Sequence, residues 1–344
     1  MNQEIIFSNN FAKNCDLIFS QSVSEEQFNT FSSQNKKIIF KTINDQFSSI
    51  TFSLDTFTLY ENDLVYCHSD LLEEFFLKVR ECKFKNIKLI SNQSDRIIQN
   101  NLYRKKPSCI STWYAININV DRDDLIPIPL GLSNPFSKKN LSFNDFDNPF
   151  DNNNFEQKKH ALYINFNKNT NYKERTKLYE KFENKEWSII KNPILNNEDY
   201  KKDLSEYKFV LCPWGNGIDT HRIYESLYSG CIPIIKKHKT YNNLEGLPIL
   251  FVNSYDEINL DLLNEFSSNL NLEEINLEKL NINWWINKIR QTEISSTNIK
   301  FTSKPKKIQT MYLVNKLKLK YKIKSLNKKL YFFYVRVLNK LTIN

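Results

Sequence analysis

Residues 205–237, SEYKFVLCPWGNGIDTHRIYESLYSGCIPIIKK, decide the fold of this chain. The apolar run Phe209–Cys212 predicts a buried strand, and a turn that contains two glycines follows it. Thr220–Ser229 then predicts a helix, which Gly230 ends as a C-cap. Ile232–Ile235 predicts a second buried strand. A strand, a helix and a strand in this order indicate a parallel βαβ unit of an α/β fold.

The same alternation continues outward from this unit in both directions. In the second half of the chain the other predicted elements are strands at Ala161–Phe166, Trp187–Ile190 and Ile249–Val252, and helices at Lys173–Phe182, Asn197–Ser205 and Leu277–Glu293. In the first half the pattern predicts strands at Lys37–Phe40, Leu64–Cys67 and Ile87–Ile90, and a helix at Leu71–Arg80. Two successive α/β units are therefore expected.

The junctions between these units are polar. Residues 137–159 are low in complexity and are the best candidate for an interdomain linker, and residues 295–303 predict a second linker. The prolines of Leu125–Asn134 make this run a poor central strand, so we expect a rim loop there. The sequence therefore predicts two Rossmann-like α/β domains, 1–145 and 158–294.

The net charge of +9 is concentrated in a C-terminal tail. Residues 304–344 hold eleven Lys, one Arg and no acidic residue, which gives +12 and leaves −3 for residues 1–303. A nucleic-acid-binding body needs a basic face on the folded domain itself, so this distribution argues against nucleic acid. Apolar residues recur in the tail at helical spacing, at Leu319, Ile323, Leu326, Leu330, Phe333 and Val337.

A basic helix with one apolar face suits adsorption to an anionic membrane surface. The alternatives for residues 304–344 are a helix packed on the protein and a disordered basic tail. The N-terminus lacks a basic region and a long apolar run, and no stretch reaches the ~18 apolar residues needed to span a bilayer. We therefore expect a cytoplasmic protein, which is peripheral on the inner face of the membrane if the tail binds lipid.

Cysteine and histidine spacing predicts no metal site. The six cysteines include no CxxC pair, and the four histidines have neither HxxxH nor HxH spacing. Free, buried thiols in a reducing compartment are the simplest interpretation.

The turn Pro213–Gly217 carries the first sign of chemistry. It leaves the C-terminal end of a predicted strand, where α/β sheets bind their ligands. Gly215 and Gly217 let backbone N–H groups approach a phosphate closely. The helix that follows offers its positive dipole end to a diphosphate, and Asp219 or Thr220 can serve as its N-cap.

Arg222 and Glu225 lie three residues apart in this helix and share a face. A guanidinium in the first turn can bind phosphate oxygens bidentately, and a carboxylate one turn later can accept hydrogen bonds from both ribose hydroxyls. Lys236, at the end of the second strand, is a weaker candidate of the same kind. The segment is neither a Walker loop nor a GxGxxG motif, since no GK[ST] and no third glycine follow. Each residue alone is common in α/β proteins, and only the combination indicates nucleotide binding.

This segment resembles the C-terminal signature of exostosin-like glycosyltransferases. The matching positions are Tyr207, Lys208, Phe209, Val210, Leu211, Pro213, Gly215, Asn216, Gly217, Asp219, His221, Arg222, Glu225, Leu227, Gly230 and Cys231–Ile235. Trp214 departs from the family, which often has a basic residue there. Its indole can stack on a base or a sugar instead of contacting phosphate.

The resemblance extends over about residues 60–290. Further segments that resemble the family are Ser91–Asp95, Trp113–Ala115, Ile128–Leu132 and Tyr163–Phe166, the last with Thr170, Asn171 and Arg175 downstream. Residues 1–60 and the tail are not covered.

The resemblance implies a GT-B fold, in which two Rossmann-like domains face a cleft, and an inverting transfer without a bound metal. The second domain would hold a nucleotide-sugar donor, with a UDP-sugar favoured, and the first domain a glycan or glycolipid acceptor. Arg222 would neutralise the diphosphate, Glu225 would bind the ribose, and Arg175 would be a second phosphate contact unless it lies on a solvated helix face. His221 and Asp219 would orient the donor sugar, unless His221 only shapes the loop. Synthesis of a surface polysaccharide or glycoconjugate is the implied role.

An inverting transfer also needs a general base for the acceptor hydroxyl, and we expect it in the first domain, across the cleft. Asp95 is the first choice because it follows the predicted strand Ile87–Ile90 at its C-terminal end. Asp70 and His68, after the strand Leu64–Cys67, come next. Each of the three can also be purely structural.

Two other functions stay open. A fucosyltransferase-like enzyme would use a GDP-sugar and has a Lys at the position of Arg222, so Arg222 with the turn Gly215–Gly217 favours the exostosin-like type. A non-catalytic sugar-binding or scaffold protein is the third hypothesis, and the presence of Arg222 and Glu225 argues against it.

Overall fold

A computed structural model describes most of the chain between residues 57 and 291. The described residues are 4–20, 23–24, 37–38, 42–44, 49–51, 57–134, 141, 146, 152–191, 193, 196–291, 299–303, 319, 322–323 and 326. Nearly all of the tail, 304–344, lies outside them, and so does the membrane-surface prediction made for it. Leu319, Ile323 and Leu326 are described, and all three are exposed.

Sixteen strands are described, numbered here in chain order. They are β1 (Leu17–Phe19), β2 (Val23–Ser24), β3 (Lys37–Ile38), β4 (Thr42–Asn44), β5 (Ser49–Thr51), β6 (Thr58–Tyr60), β7 (Leu64–His68), β8 (Ile87–Asn92), β9 (Ile110–Ala115), β10 (Leu125–Pro127), β11 (Lys159–Ile164), β12 (Ser188–Ile190), β13 (Tyr207–Leu211), β14 (Ile232–Lys236), β15 (Leu250–Val252) and β16 (Lys300–Thr302). The α-helices of the described residues are α1 (Ser8–Lys13), α2 (Leu72–Val79), α3 (Asn100–Tyr103), α4 (Asn152–Gln157), α5 (Tyr172–Phe182), α6 (Asn197–Glu206), α7 (His221–Tyr228), α8 (Leu260–Asn269) and α9 (Ile282–Arg290).

Six strands form the first sheet, in the order β10-β9-β8-β7-β1-β3, and every pair is parallel. β7 and β8 are buried along their whole length, as expected for central strands of a parallel sheet that is covered on both faces. The chain leaves β1 for β3 on one side and later adds β7 on the other. The strand order therefore reverses beside β1.

Five strands form the second sheet, in the order β12-β11-β13-β14-β15, again all parallel. Helices α5, α6 and α7 connect its first four strands in sequence. From β11 the chain passes to β12 on one side and then to β13 on the other. This reversal is a topological switch point, where the C-terminal ends of β11 and β13 leave a crevice for a ligand.

The α/β prediction is thus confirmed, with two parallel sheets compatible with two Rossmann-like domains. The helix predicted at Leu71–Arg80 is α2, and the helix predicted at Thr220–Ser229 is α7. Gly230 follows α7 with a φ of 65°, and the N–H of Cys231 donates to the Ser226 carbonyl at 2.8 Å. This hydrogen bond confirms the predicted glycine C-cap.

Three regions that were expected as a loop or a linker contain regular secondary structure. Leu125–Pro127, expected as a rim loop, is strand β10, which lies at the sheet edge where a proline removes no hydrogen bond to a second neighbour. Asn152–Gln157, expected within the linker, is helix α4 directly before β11. The second predicted linker, 295–303, contains β16, which pairs antiparallel with β6. Helix α4 and strand β16 were not predicted because their sequences are polar.

The N-terminal segment and the closing helix join the two halves. The predicted helix Leu277–Glu293 begins only at Ile282, as α9, and packs back against the first half. Lys88 Nζ, on β8, donates to the Ile289 carbonyl of α9 at 2.6 Å. The N–H of Ile6 donates to the Tyr228 hydroxyl of α7 at 2.9 Å. A continuous apolar core spans both halves and includes Phe11, Tyr66, Tyr224 and Trp285.

All six cysteines are buried and free, as predicted: Cys15, Cys67, Cys82, Cys109, Cys212 and Cys231. Within the described part of the chain, we find no helix with the length and apolar character to cross a membrane.

Candidate functional site

A cleft of about 500 Å³ lies between the C-terminal edges of the two sheets. Its walls hold both groups of residues that the sequence singled out. They are Ser8, His68, Gln93, Ser94, Asp95, Asn117, Leu130, Ser133 and Asn134 from the first half, and Thr170, Arg175, Gly215, Asn216, Gly217, Asp219, Thr220, His221, Arg222 and Glu225 from the second. An adjoining cavity adds Asp70, Arg96 and Asn171.

The strand ends explain why these residues meet. His68 ends β7, Gln93 follows β8 and Asn117 follows β9, so the first-half residues come from neighbouring strands. In the second half, Thr170 follows β11 and the turn 213–217 follows β13, on either side of the switch point. Parallel strands carry their C-terminal ends on one edge, and here the two edges face the same space.

The glycine turn packs tightly on both sides. The N–H of Gly215 donates to the Gly217 carbonyl at 3.0 Å, which closes the turn. A Cβ at Gly215 would lie 3.3 Å from Arg175 Nη2, and one at Gly217 would lie 3.0 Å from Asn117 Nδ2. The absence of side chains therefore lets an arginine approach from one side and the first half of the molecule from the other. The N–H of Gly215 is already used within the turn.

Arg175 stabilises this turn through hydrogen bonds to its backbone carbonyls. Its guanidinium donates to the carbonyls of Trp214 at 2.9 Å and Pro213 at 3.0 Å, and to the Asn167 carbonyl at 2.8 Å. It also donates to Thr170 Oγ1 at 2.6 Å. Arg175 is buried, so the alternative of a solvated helix face is wrong. Four of its five N–H donors are occupied by the protein, which leaves one for a ligand.

Arg222 is half-buried and borders the cleft. Its Nη1 donates to the Tyr200 hydroxyl at 3.0 Å, and the guanidinium lies 5.4 Å from the centre of the Tyr200 ring. The same hydroxyl donates to Glu225 Oε2 at 3.0 Å. Tyr200 therefore connects the arginine to the carboxylate, and Arg222 forms no ion pair with a carboxylate of any described residue. Most of its donors remain available to a ligand.

The two arginines repel each other across the second-half wall. Burial, and then the charge of Arg222, lower the pKa of Arg175 to about 10. Both guanidinium groups remain protonated at neutral pH, since this value is still well above 7. Two carboxylates partly offset this positive charge, Glu225 beside Arg222 and Glu174 beside Arg175. An anion in the cleft would further reduce the repulsion between the two guanidinium groups.

Asp219 connects the turn to the first half. Its Oδ2 accepts hydrogen bonds from the Leu130 N–H at 3.0 Å and the Tyr224 hydroxyl at 2.8 Å. Its own N–H donates to Asn117 Oδ1 at 2.7 Å. Thr220, one of the two predicted N-cap residues, occupies the N-cap position of α7, but its side chain makes no cap bond. The carboxylate of Asp219 accepts hydrogen bonds from both halves of the molecule.

The buried Asp219 carboxylate makes stability depend on pH. Burial raises the pKa of Asp219 to about 7, and hydrogen bonds from Tyr224 and Leu130 oppose that rise. A carboxyl whose pKa is higher in the folded state binds more protons there than when unfolded, so its contribution to stability falls as pH rises toward 7. We expect a loss of about 2 kcal/mol between pH 5 and pH 7 from this group.

Asp219→Asn tests this expectation. The amide oxygen can still accept from Leu130 and Tyr224, but the side chain no longer titrates. Urea unfolding at pH 5 and pH 7 should therefore show a smaller fall in the free energy of unfolding for the variant than for the wild type. Equal falls in the two proteins would show that Asp219 is already ionised at pH 5.

The three predicted base candidates all border the cavities, in different environments. Asp95 is exposed in the cleft. Asp70 borders the adjoining cavity and accepts a hydrogen bond from Ser94 Oγ at 2.8 Å. His68 is buried, and its Nδ1 accepts the Asp70 N–H at 3.2 Å. Burial lowers the pKa of His68 to about 4, so its ring is neutral at pH 7 and carries its proton on Nε2.

Lys236 and Trp214 lie beside the cleft rather than in its walls. Lys236 ends β14, and its Nζ lies 5.7 Å from the centre of the Trp214 ring. The Trp214 ring meets His238 edge to face at 5.1 Å. Its Nε1 is buried. The indole is half-buried and packs against its own half of the molecule.

Sequence reasoning missed several residues of the site. Tyr200 lies on the polar helix α6, where a single tyrosine gives no signal of its own. Asn117 has a φ of 54°, and its side chain donates to the Ser94 carbonyl while accepting from Asp219. Gln93 has a φ of 76°, which is uncommon for a residue other than glycine and typical of functional sites. Such backbone conformations become visible only in the structure.

Among the described residues, no three His, Cys, Asp or Glu side chains are arranged to hold a metal ion. Comparison of the chain with models of known protein families gives no match. Comparison with curated proteins also gives none.

Proposed function

We propose that the protein is an inverting glycosyltransferase with a GT-B arrangement, which takes a sugar from a nucleoside-diphosphate donor. The observation that carries the proposal is the second-half wall at a topological switch point, where Arg222 keeps most of its donors free and the guanidinium of Arg175 lies beside it. A donor diphosphate can accept hydrogen bonds from these free donors and reduce the repulsion between the two guanidinium groups. Leaving-group stabilisation of this kind is the main requirement of sugar transfer from a nucleotide.

The surrounding groups suit the rest of a nucleotide. Glu225 is buried one turn beyond Arg222, and a carboxylate there can accept hydrogen bonds from ribose hydroxyls. Tyr200 already holds this carboxylate at one oxygen.

The first-half wall suits a hydroxyl-rich acceptor. Its polar side chains are mostly amides, hydroxyls and a carboxylate, at Ser8, Gln93, Ser94, Asp95, Ser133 and Asn134. Groups of this kind hydrogen-bond to sugar hydroxyls. Acceptor on one wall and donor on the other is the arrangement that a GT-B enzyme requires, and we propose a glycan or glycolipid acceptor.

Among donors we favour UDP-sugars, with a GDP-sugar as the alternative of a fucosyltransferase-like enzyme. The non-catalytic alternative is disfavoured by the largely unused donors of Arg222. Six free thiols favour a reducing compartment, and we propose cytoplasmic action on surface polysaccharide or glycoconjugate precursors.

A thermal-shift screen against UDP, GDP, CMP and TDP and their sugars tests the proposal. The account predicts that a nucleoside diphosphate raises the melting temperature, and that the corresponding nucleotide sugar releases it in a turnover assay. At a hundredfold excess over Kd, binding adds about 2.7 kcal/mol of stability, which the screen detects easily. No stabilisation by any of these ligands would refute a donor site in the cleft.

A further inference from the structure

His221 begins α7 and borders the cleft, beside Arg222. Its Nδ1 lies 2.8 Å from the Gly131 carbonyl oxygen, across the boundary between the halves. A carbonyl oxygen only accepts hydrogen bonds, so Nδ1 must carry the proton. In the neutral ring Nε2 therefore has a free lone pair, and no described residue bonds to it.

His68, Asp219 and Glu225 are less suited to accept a proton, which leaves His221 and Asp95. His68 has the opposite tautomer, because its Nδ1 accepts the Asp70 N–H and its Nε2 must be a donor. Both carboxylate oxygens of Asp219 already accept hydrogen bonds, from Leu130, Tyr224 and Thr220. Glu225 accepts from Tyr200 on the donor wall. Asp95 is exposed to solvent and borders both cavities.

The hydrogen bond to Gly131 also fixes the ring. Gly131 lies in the loop after β10, and its neighbour Leu132 donates to the Ile6 carbonyl at 2.8 Å. The His221 ring is thus held from the first half while its helix belongs to the second. A base held by a backbone carbonyl keeps both its tautomer and its orientation, as a general base requires.

We propose that His221, through Nε2, is the general base that deprotonates the acceptor hydroxyl. This inference rests on the proposed function. The acceptor O–H gives its proton to Nε2 as its oxygen forms a bond to the anomeric carbon of the donor. The bond from that carbon to the diphosphate oxygen breaks, and its electron pair leaves with the nucleoside diphosphate. The imidazolium then returns its proton to solvent.

His221→Asn is the decisive variant, because an asparagine Nδ2 can still donate to the Gly131 carbonyl while the basic nitrogen is lost. Release of UDP or GDP is measured from UDP-glucose, UDP-galactose, UDP-N-acetylglucosamine and GDP-mannose, with methyl glycosides or water as acceptor. We expect kcat to fall about 10²- to 10⁴-fold, with the Kd for UDP or GDP unchanged. Added imidazole should restore part of the activity to His221→Ala.

The pH profile separates this role from others. The charged and titratable groups that border the same cleft are His68, Asp95, Arg175, Asp219, Arg222 and Glu225. Wild-type kcat should fall at acid pH, and His221→Asn should lose this pH dependence while Asp219→Asn retains it. Asp219 needs this control because burial raises the pKa of its carboxyl to about 7.

The outcomes are distinguishable. Wild-type turnover with kcat of His221→Asn within about fivefold would overturn the inference and leave the proposed function intact. A joint loss of kcat and nucleotide affinity in His221→Asn would show that the ring only positions the donor, which also overturns it. A wild type that binds no nucleoside diphosphate and releases none refutes the proposed function, and the inference falls with it.

Discussion

Arg222→Ala should reduce nucleoside-diphosphate affinity more than any other single change in the cleft, and nucleotide-sugar turnover should fall with it. The guanidinium is half-buried, borders the cleft and gives one hydrogen bond to Tyr200. Loss of one partner of a desolvated, hydrogen-bonded charge pair costs about 2–5 kcal/mol. Each 1.4 kcal/mol is a factor of ten, so we expect a loss of about 30-fold to several thousandfold in kcat/KM.

Two further variants separate the effect of the Arg222 charge from the effect of its hydrogen-bond geometry. Arg222→Lys keeps the charge but loses the planar fork, so it should recover only part of the activity. Tyr200→Phe removes the hydrogen bonds to Arg222 and Glu225 without removing either charge. If Tyr200→Phe were as damaging as Arg222→Ala, the arginine would act mainly through the Tyr200 network. Unchanged affinity for UDP and GDP in Arg222→Ala would contradict its role as a phosphate ligand.

Gly131→Ala should have the largest effect on folding. Gly131 has a φ of 74°, and a Cβ there would lie 2.3 Å from the Ile6 carbonyl oxygen, which is backbone and cannot turn aside. The Ile6 carbonyl accepts the Leu132 N–H, and the Ile6 N–H donates to Tyr228 of the second half. Relief of the clash must therefore move the N-terminal segment around Ile6, which joins both halves. We expect a destabilisation of about 4 kcal/mol or more, in the range reserved for severe backbone conflicts.

Gly246→Ala is the matched control. Gly246 also has a positive φ, of 90°, but no atom lies within 4 Å of the added Cβ. It should therefore lose only the backbone term of about 1–2 kcal/mol. Urea unfolding of the two variants beside the wild type measures the difference. Similar losses of unfolding free energy at the two positions would show that the loop after β10 moves to relieve the clash. The contact between Gly131 and Ile6 would then not be rigid.

The second half of the fold was predictable because two of its central strands, β13 and β14, are almost fully buried. β13 and β14 have almost only apolar side chains, and a strand of this kind is recognisable from its sequence alone. The end of α7 was predictable as well, because Gly230 is a local sequence signal for a helix C-terminus. β10 was missed since prolines argue against a central strand, and its place at an edge depends on the other strands. α4 and β16 have polar sequences without a clear period.

The candidate site divides in the same way. Arg222 and Glu225 could be found because one helix holds both, at a spacing that places them on one face. Asn117 could not, since it meets Asp219 from 102 positions away in the chain. The chain is rich in asparagine, so no single one stands out in the sequence. The role of Arg175 in holding the turn could not be predicted either. Most of its partners are backbone carbonyls, which every residue has and which therefore leave no signal in the sequence.

The most direct test of a donor site at Arg222 is a crystal structure of the protein with UDP, and in parallel with GDP. We expect the diphosphate at the C-terminal ends of β11 and β13, with a phosphate oxygen within about 3.2 Å of an Arg222 nitrogen. The ribose hydroxyls should bond to Glu225. A nucleotide bound at another surface, or a cleft left empty at concentrations that saturate binding in solution, would show that the cleft is not the donor site.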